Sequence, residues 1–264
     1  MKTTVFSLSF ILLLCMVVLT ATAQNKRYLL VEYMKLRPGI TDSNSVIENT
    51  RERIQQQQEK DKSVLSSAIW EVVNYSHTNN EYQYVVTTVF NNFNDYMAEY
   101  KNRDSNMFYS VSKDRFDTVT LNKNDSFKVV YAEIFEILAQ TKTSKQLPQF
   151  LLNTDIKATS GREMAYESLV MSDWLPIHED LIKKGYENSF NFSKLVFPER
   201  VGLSYNYCTF LYFNDEEMFD KQNDIDWEPY MRANQSAFVN SGKLRTEVHS
   251  ELLKLVTVLD NGKK

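Results

Sequence analysis

Glycine and proline are scarce in this chain, six and five among 264 residues, and cysteine is scarcer still at two. With so few glycines there is no phosphate-cradling loop and no GxSxG elbow, and HExxH and CxxC are absent as well. Classical nucleotide-binding folds and the common metallohydrolase sites are therefore disfavoured. One cysteine, Cys15, falls in an N-terminal apolar run, which leaves Cys208 alone and precludes an internal disulfide. Cys208 lies in the strand-like run Tyr205 to Phe210, where it reads as a buried, inert thiol. Positive charge is in deficit, 30 Lys and Arg against 34 Asp and Glu, a net charge of −4. No basic cluster is interleaved with aromatics, so nucleic acid is not an expected partner. Beyond residue 20 no apolar run approaches the length needed to cross a bilayer, and the remainder is expected to be soluble.

Two things are abundant: an export signature and aromatic side chains. Lys2 supplies a positive start, Val5 to Leu19 is almost wholly apolar, and Ala21-Thr22-Ala23 gives a small-x-small cleavage pattern. Residues 1–23 are expected to be a signal peptide, with Gln24 as the new N-terminus. The mature protein would be periplasmic or extracellular, with no stable membrane anchor. Aromatics make up 13% of the chain, enough to furnish a substantial core.

The order of elements is expected to repeat. Tyr28 to Leu36 alternates and ends at Pro38-Gly39, and Thr41 to Ser43 can cap a helix over about 45–62. Strands are expected at 65–73 and 82–90, a broken helix over 93–117, and a weak strand near 118–122. The pattern restarts with a strand at 129–138, a helix at 163–184 capped by Gly185, strands at 192–197 and 203–213, helix over most of 216–241, and a closing strand at 251–259. A slide of 123 positions superposes Tyr82 and Tyr84 on Tyr205 and Tyr207, and Phe90 on Phe213. The first strands match at 101 instead, Glu32 falling on Glu133, which implies an insertion at about 139–161. The expected division is 24–125 for the first repeat and 126–264 for the second.

A β-α-β-β-α-β unit makes a four-stranded sheet with both helices on one face, and the bare face must be covered. Two such units satisfy each other sheet to sheet. The expected fold is α+β: two tandem ferredoxin-like repeats forming a single-chain α/β barrel. In this architecture the chain resembles the dimeric α/β-barrel superfamily. Trp174-Leu175-Pro176-Ile177-His178 in a helix, followed by a strand and Tyr205-x-Tyr207, is similar to a group of uncharacterised exported bacterial proteins of that superfamily. The superfamily includes antibiotic-biosynthesis-type monooxygenases, haem-degrading enzymes, chlorite dismutases and NIPSNAP-type proteins. The resemblance permits a monooxygenase-like or haem-handling enzyme, but its range is too wide for the fold to choose one activity.

Trp174, Ile177, His178, Leu181 and Ile182 share one helical face. His178 is thus either a core histidine or a base, or a haem or metal ligand, on a pocket wall, and the first repeat lacks its counterpart. Glu133 sits on a strand face with Tyr131 and Phe135, where desolvation would raise its pKa, and Glu32 recurs similarly. A Glu133–His178 pair is the expected catalytic arrangement, with Trp174, Tyr131, Tyr205 and Tyr207 lining a ligand pocket. A cavity of roughly 300 Å³ beside His178 would support a small-molecule site. His77 and His249 carry no trusted metal-ligand spacing. Three readings stand: binding of a small apolar or aromatic molecule, an enzyme of the superfamily's kinds with haem as one cofactor it permits, or an interaction protein. Because the repeats cover each other, a monomer with an internal pseudo-dimer is the expected state.

Overall fold

The computed structural model describes residues 26–39, 64–75, 82–91, 127–142, 146–197 and 204–260, with isolated positions between 44 and 52 and at 93 and 94. The expected signal peptide, most of the first repeat's two helices and the weak strand at 118–122 lie outside the described residues. Eight strands are described: β1 (Tyr28–Leu36), β2 (Val64–Tyr75), β3 (Tyr84–Phe90), β4 (Phe127–Gln140), β5 (Phe150–Ala158), β6 (Ser189–Phe197), β7 (Tyr207–Phe213) and β8 (Arg245–Asp260). They close into an antiparallel barrel in the order β1-β3-β2-β8-β5-β7-β6-β4.

That order divides the barrel into two four-stranded sheets, β4-β1-β3-β2 and β8-β5-β7-β6, joined at the β2–β8 and β4–β6 seams. Each sheet has its first and third strands in the middle, as a ferredoxin-like unit requires. The expected repeat boundary is therefore corrected. The strand at 127–140 pairs with β1 and closes the first repeat, whereas the sequence pattern at 129–138 suggests the opening of the second. The supposed insertion at 139–161 contains β5, the central strand of the second sheet, paired to both β7 and β8. Phe150-Leu151-Leu152 is followed by Asn153, Thr154 and Asp155, and these polar residues hid the strand.

With β5 in place, one register serves the whole chain. Tyr28 pairs with Phe90 as Phe150 pairs with Phe213. Val31 pairs with Glu133 as Asn153 pairs with Glu251. A bulge opposite Tyr33/Met34 recurs opposite Asp155/Ile156. Glu133 thus corresponds to Glu251, and Glu32 to Thr154, not to Glu133.

Strand alternation sends one set of side chains into the lumen and the other under the helices. The lumen core draws on all eight strands, with Leu29, Val31, Trp70, Val85, Phe135, Leu151, Leu195, Phe210 and Leu253 among its members. Phe135 and Phe210 meet edge to face at 6.1 Å, a preferred aromatic geometry. Glu32 faces outward with Leu30 and Met34 and is only 2% exposed.

Outside the second sheet lie α1 (Glu163–Leu169), a π turn (Val170–Trp174), α2 (Leu175–Lys183), α3 (Glu216–Asp220), α4 (Glu228–Ala233) and α5 (Gln235–Leu244). Pro176 lacks the N–H that would reach the carbonyl four residues back. The backbone takes a wider turn just before it, in which the Leu175 N–H reaches the Val170 carbonyl. Gly185, at φ 78°, ends α2 in the left-handed conformation its position predicts. Among the described residues no helix is long and apolar enough to cross a membrane.

Candidate functional site

The residues singled out in the sequence separate into two places, one on each side of the sheet. Trp174, His178 and Tyr207 lie on the helix side of the second sheet. Glu133, Tyr131 and Tyr205 lie in the lumen. The expected Glu133–His178 pair is therefore corrected. Glu133 points into the barrel because it shares the inward alternation of Tyr131 and Phe135, and it accepts hydroxyl hydrogens from Tyr33 at 3.2 Å and from Tyr205. His178 instead pairs with Glu187 across the wall.

Tyr205 and Tyr207 also part company. β7 begins only at Tyr207, and Asn206 interrupts the alternation. The Asn206 N–H donates to the Ile156 carbonyl, and its side-chain oxygen accepts from the Ala158 N–H at 2.8 Å. Gln83 does the same in the first repeat, donating to the Met34 carbonyl and accepting from the Leu36 N–H at 2.9 Å. This device turns Tyr82 and Tyr205 into the lumen. Tyr207 stays on the helix side, where its hydroxyl donates to Glu167 at 2.7 Å.

Among the described residues the lumen holds three buried carboxyls, Glu133, Asp155 and Glu251. Glu251 accepts from Tyr82 at 2.6 Å and from Asn153 at 3.1 Å, and lies 3.9 Å from the His249 imidazole. Tyr33 stacks on Tyr131 at 4.0 Å and meets Tyr82 edge to face at 4.8 Å. Burial pushes the Glu133 carboxyl up to about 7, the nearby Glu251 adds to this, and the two tyrosine hydrogen bonds oppose it. Burial, reinforced by Glu133 and Glu251, likewise holds Asp155 well above the usual carboxylate range. Burial raises the Tyr33, Tyr82, Tyr131 and Tyr205 phenols too, so these hydroxyls keep their protons and act as donors. Cys208 is buried beside them and its thiol is likewise raised, which fits an inert role. Among the described residues no group of three or more His, Cys, Asp or Glu is placed to hold a metal ion. The lumen thus combines an apolar core with a cluster of buried carboxyls and phenols.

One cavity is on the helix side. It has a volume of about 160 Å³ and lies between the second sheet and its helices, lined by Leu152, Thr154, Tyr166, Val170, Trp174, His178, Phe190, Thr209, Leu211, Arg245 and Glu247. His178 projects from α2, beyond the buried Ile177 and Leu181, and its ring lies flat on Phe190 with centroids 3.8 Å apart. Its Nδ1 sits 2.9 Å from Glu187 Oε2, whose side chain is 1% exposed. In the neutral ring this carboxylate holds the proton on Nδ1 and leaves Nε2 as the acceptor of a residue that lines the cavity. Among the described residues Nε2 makes no hydrogen bond. Trp174 packs on His178 and Phe238, and its indole N–H is buried without a partner among the described residues.

The cavity is smaller than the roughly 300 Å³ typical of drug-sized ligands. It is close to the about 150 Å³ that accommodates a single benzene ring. A haem does not fit, since a porphyrin joins four pyrrole rings in one plane and the cavity has room for about one ring.

Sequence reasoning missed Glu187, Phe190, Arg245 and Glu247 around the pocket, and Asp155 and Glu251 in the lumen. Glu187 follows the Gly185 cap in a connection with no periodicity. Glu251 carried a signal, because it stands to Glu133 as His249 stands to Tyr131 once β8 is aligned on β4.

No family model matches the sequence, and no curated protein matches it. Solved structures do share the fold. A putative monooxygenase from Fusobacterium nucleatum is 11% identical with a TM-score of 0.54, over 90% of this chain and 96% of that one. An anthrone oxidase-like protein is also 11% identical at 0.54, over 92% and 96%. A putative chlorite dismutase is 10% identical at 0.50, over 89% and 96%. At such identities the likeness establishes fold and nothing finer. The chain has the dimeric α/β-barrel fold, with both halves of the barrel supplied by one polypeptide.

Proposed function

We propose that the protein binds a small, single-ring, largely apolar molecule in the helix-side cavity of the second repeat. One observation carries the reading: the His178–Glu187 pair at the wall of a ring-sized cavity. Leu152, Val170, Phe190 and Leu211 supply apolar walls, and His178 Nε2 supplies one oriented acceptor for a ligand hydroxyl. A buried carboxylate that fixes a histidine tautomer is dispensable for packing alone, since an apolar pair of similar volume would fill the same space.

The same pair supports a second reading, an enzyme of the monooxygenase-like kind. A ring hydroxyl at Nε2 would give up its proton to the imidazole, and Glu187 would stabilise the resulting imidazolium. The fold neighbours described as a putative monooxygenase and an anthrone oxidase-like protein are compatible with it. The export signature of residues 1–23 supports a place of action outside the cytoplasm.

Phenol is a suitable first probe, matched to the cavity in size and carrying one hydroxyl. Saturable binding is expected in the millimolar range or tighter, followed by tryptophan fluorescence. Leu211→Trp, which fills the cavity, should abolish it while the circular dichroism of the fold is kept. Absence of saturable binding to the wild-type chain would overturn the reading.

A further inference from the structure

We propose that the ligand of this cavity is a ring-bearing carboxylate, and that Glu247 holds the carboxylate's place on Arg245 until the ligand arrives. The inference rests on the reading of the cavity as a small-molecule site and names the ligand's charge. Arg245 opens β8, and Glu247 follows two residues later, so strand alternation puts both on the helix side. Both line the cavity, and Arg245 is the permanent cation among the described lining residues.

The two partners are held very differently. Arg245 is anchored: its Nε donates to Ser241 Oγ at 3.1 Å, and its side chain is 24% exposed. Glu247 is loosely held, with a side chain 57% exposed and one contact to the guanidinium, Nη2 to Oε1 at 3.0 Å. An ion pair with so exposed a partner adds little net stability, so exchanging that carboxylate for another costs little. A guanidinium presents a planar fork that matches a carboxylate with two parallel hydrogen bonds; Glu247 uses one position of it, and the Tyr166 hydroxyl of the cavity wall lies against it as well.

Glu187 is not among the lining residues: it is buried behind His178 and takes the Nδ1 hydrogen, and among the described residues no ion pair joins it to Arg245. The cavity therefore has an apolar, ring-sized middle, an imidazole on one side and an anchored cation whose present partner is exchangeable. A neutral ring would leave Arg245 and Glu247 as they stand. A ring carrying a carboxylate would displace Glu247 into solvent, where it loses little.

Benzoate and phenol distinguish the two claims, titrated calorimetrically into the full chain and into Glu247→Gln and Arg245→Gln. Removing the competing carboxylate in Glu247→Gln should raise the benzoate-to-phenol affinity ratio by about two- to fivefold. Arg245→Gln should lower that ratio at least tenfold. Glu247 is exposed, so its variant keeps the test decisive even where Arg245→Gln fails to fold. Phenol binding with a benzoate-to-phenol ratio indifferent to Glu247→Gln would overturn the inference and leave the cavity reading standing. Failure of both probes to bind any form would overturn both.

Discussion

Tyr205 of the second repeat donates its hydroxyl hydrogen to Glu133 of the first, in the middle of the barrel. Tyr82 of the first repeat donates to Glu251 of the second at 2.6 Å. The two bonds exchange partners across the pseudo-twofold axis, as the contacts of an isologous dimer do. Here the exchange happens within one chain, and it ties the two sheets together through polar groups that an apolar lumen would not supply.

Tyr205→Phe should destabilise the fold by about 1–3 kcal/mol, because a buried carboxylate loses a donor and keeps its desolvation cost. Tyr82→Phe should cost a similar amount by the pseudo-symmetry. A double-mutant cycle of Tyr205→Phe with Glu133→Gln, read by urea unfolding, should show coupling above about 0.5 kcal/mol. Strict additivity would mean that the bond contributes nothing to stability.

Stability should fall as pH rises across the acidic range. Burial lifts Glu133 from 4.5 to about 7, so between these values the folded chain binds more protons than the unfolded one. The contribution of this carboxyl is full below about 4.5, declines as pH rises, and levels off above about 7. Asp155 shifts in the same direction. Unfolding midpoints in urea at pH 5 and pH 8 should differ less in Glu133→Gln than in the wild-type chain. An unchanged difference would place the titration elsewhere.

Glu187→Gln should release the His178 tautomer. In the wild-type chain, nitrogen-15 spectra of the neutral ring should show the proton on Nδ1. In Glu187→Gln the population should shift toward Nε2–H, and phenol affinity should drop by about threefold to tenfold as the acceptor facing the cavity is lost. A wild-type ring protonated at Nε2 would contradict the proposed orientation.

Pro176→Ala restores the N–H whose absence accompanies the π turn at Val170–Trp174. Relaxation to a regular helix would rotate Trp174 relative to His178 and change the cavity. The expected reading is weaker phenol binding with equal or greater thermal stability. Unaltered binding would show that the π turn does not shape the pocket.

Export is testable directly. Mass analysis of protein secreted or released from the periplasm should give a chain beginning at Gln24. A chain retaining Lys2 in the membrane fraction would show an uncleaved anchor instead.

The sequence by itself determined the fold class, because period-2 runs such as Tyr28 to Leu36 and the matched Tyr82/Tyr84 and Tyr205/Tyr207 punctuation are local signals. It also determined that Glu133 is buried on an apolar face and that His178 lies on the inner side of its helix. It did not determine where one repeat ends. β5 carries Asn153 and Asp155 inward because Glu251, Tyr82 and Cys208 are waiting there, and only the closed barrel brings those groups together. Nor did it determine the partners of the candidate site. Strand alternation put Glu133 in the lumen, the interruption at Asn206 put Tyr205 beside it, and His178 was left on the far side of the sheet to pair with Glu187. Sequence spacing says which residues share a face of one element. Which faces meet is decided by strand pairing between residues more than a hundred positions apart, and that information exists only in the folded chain.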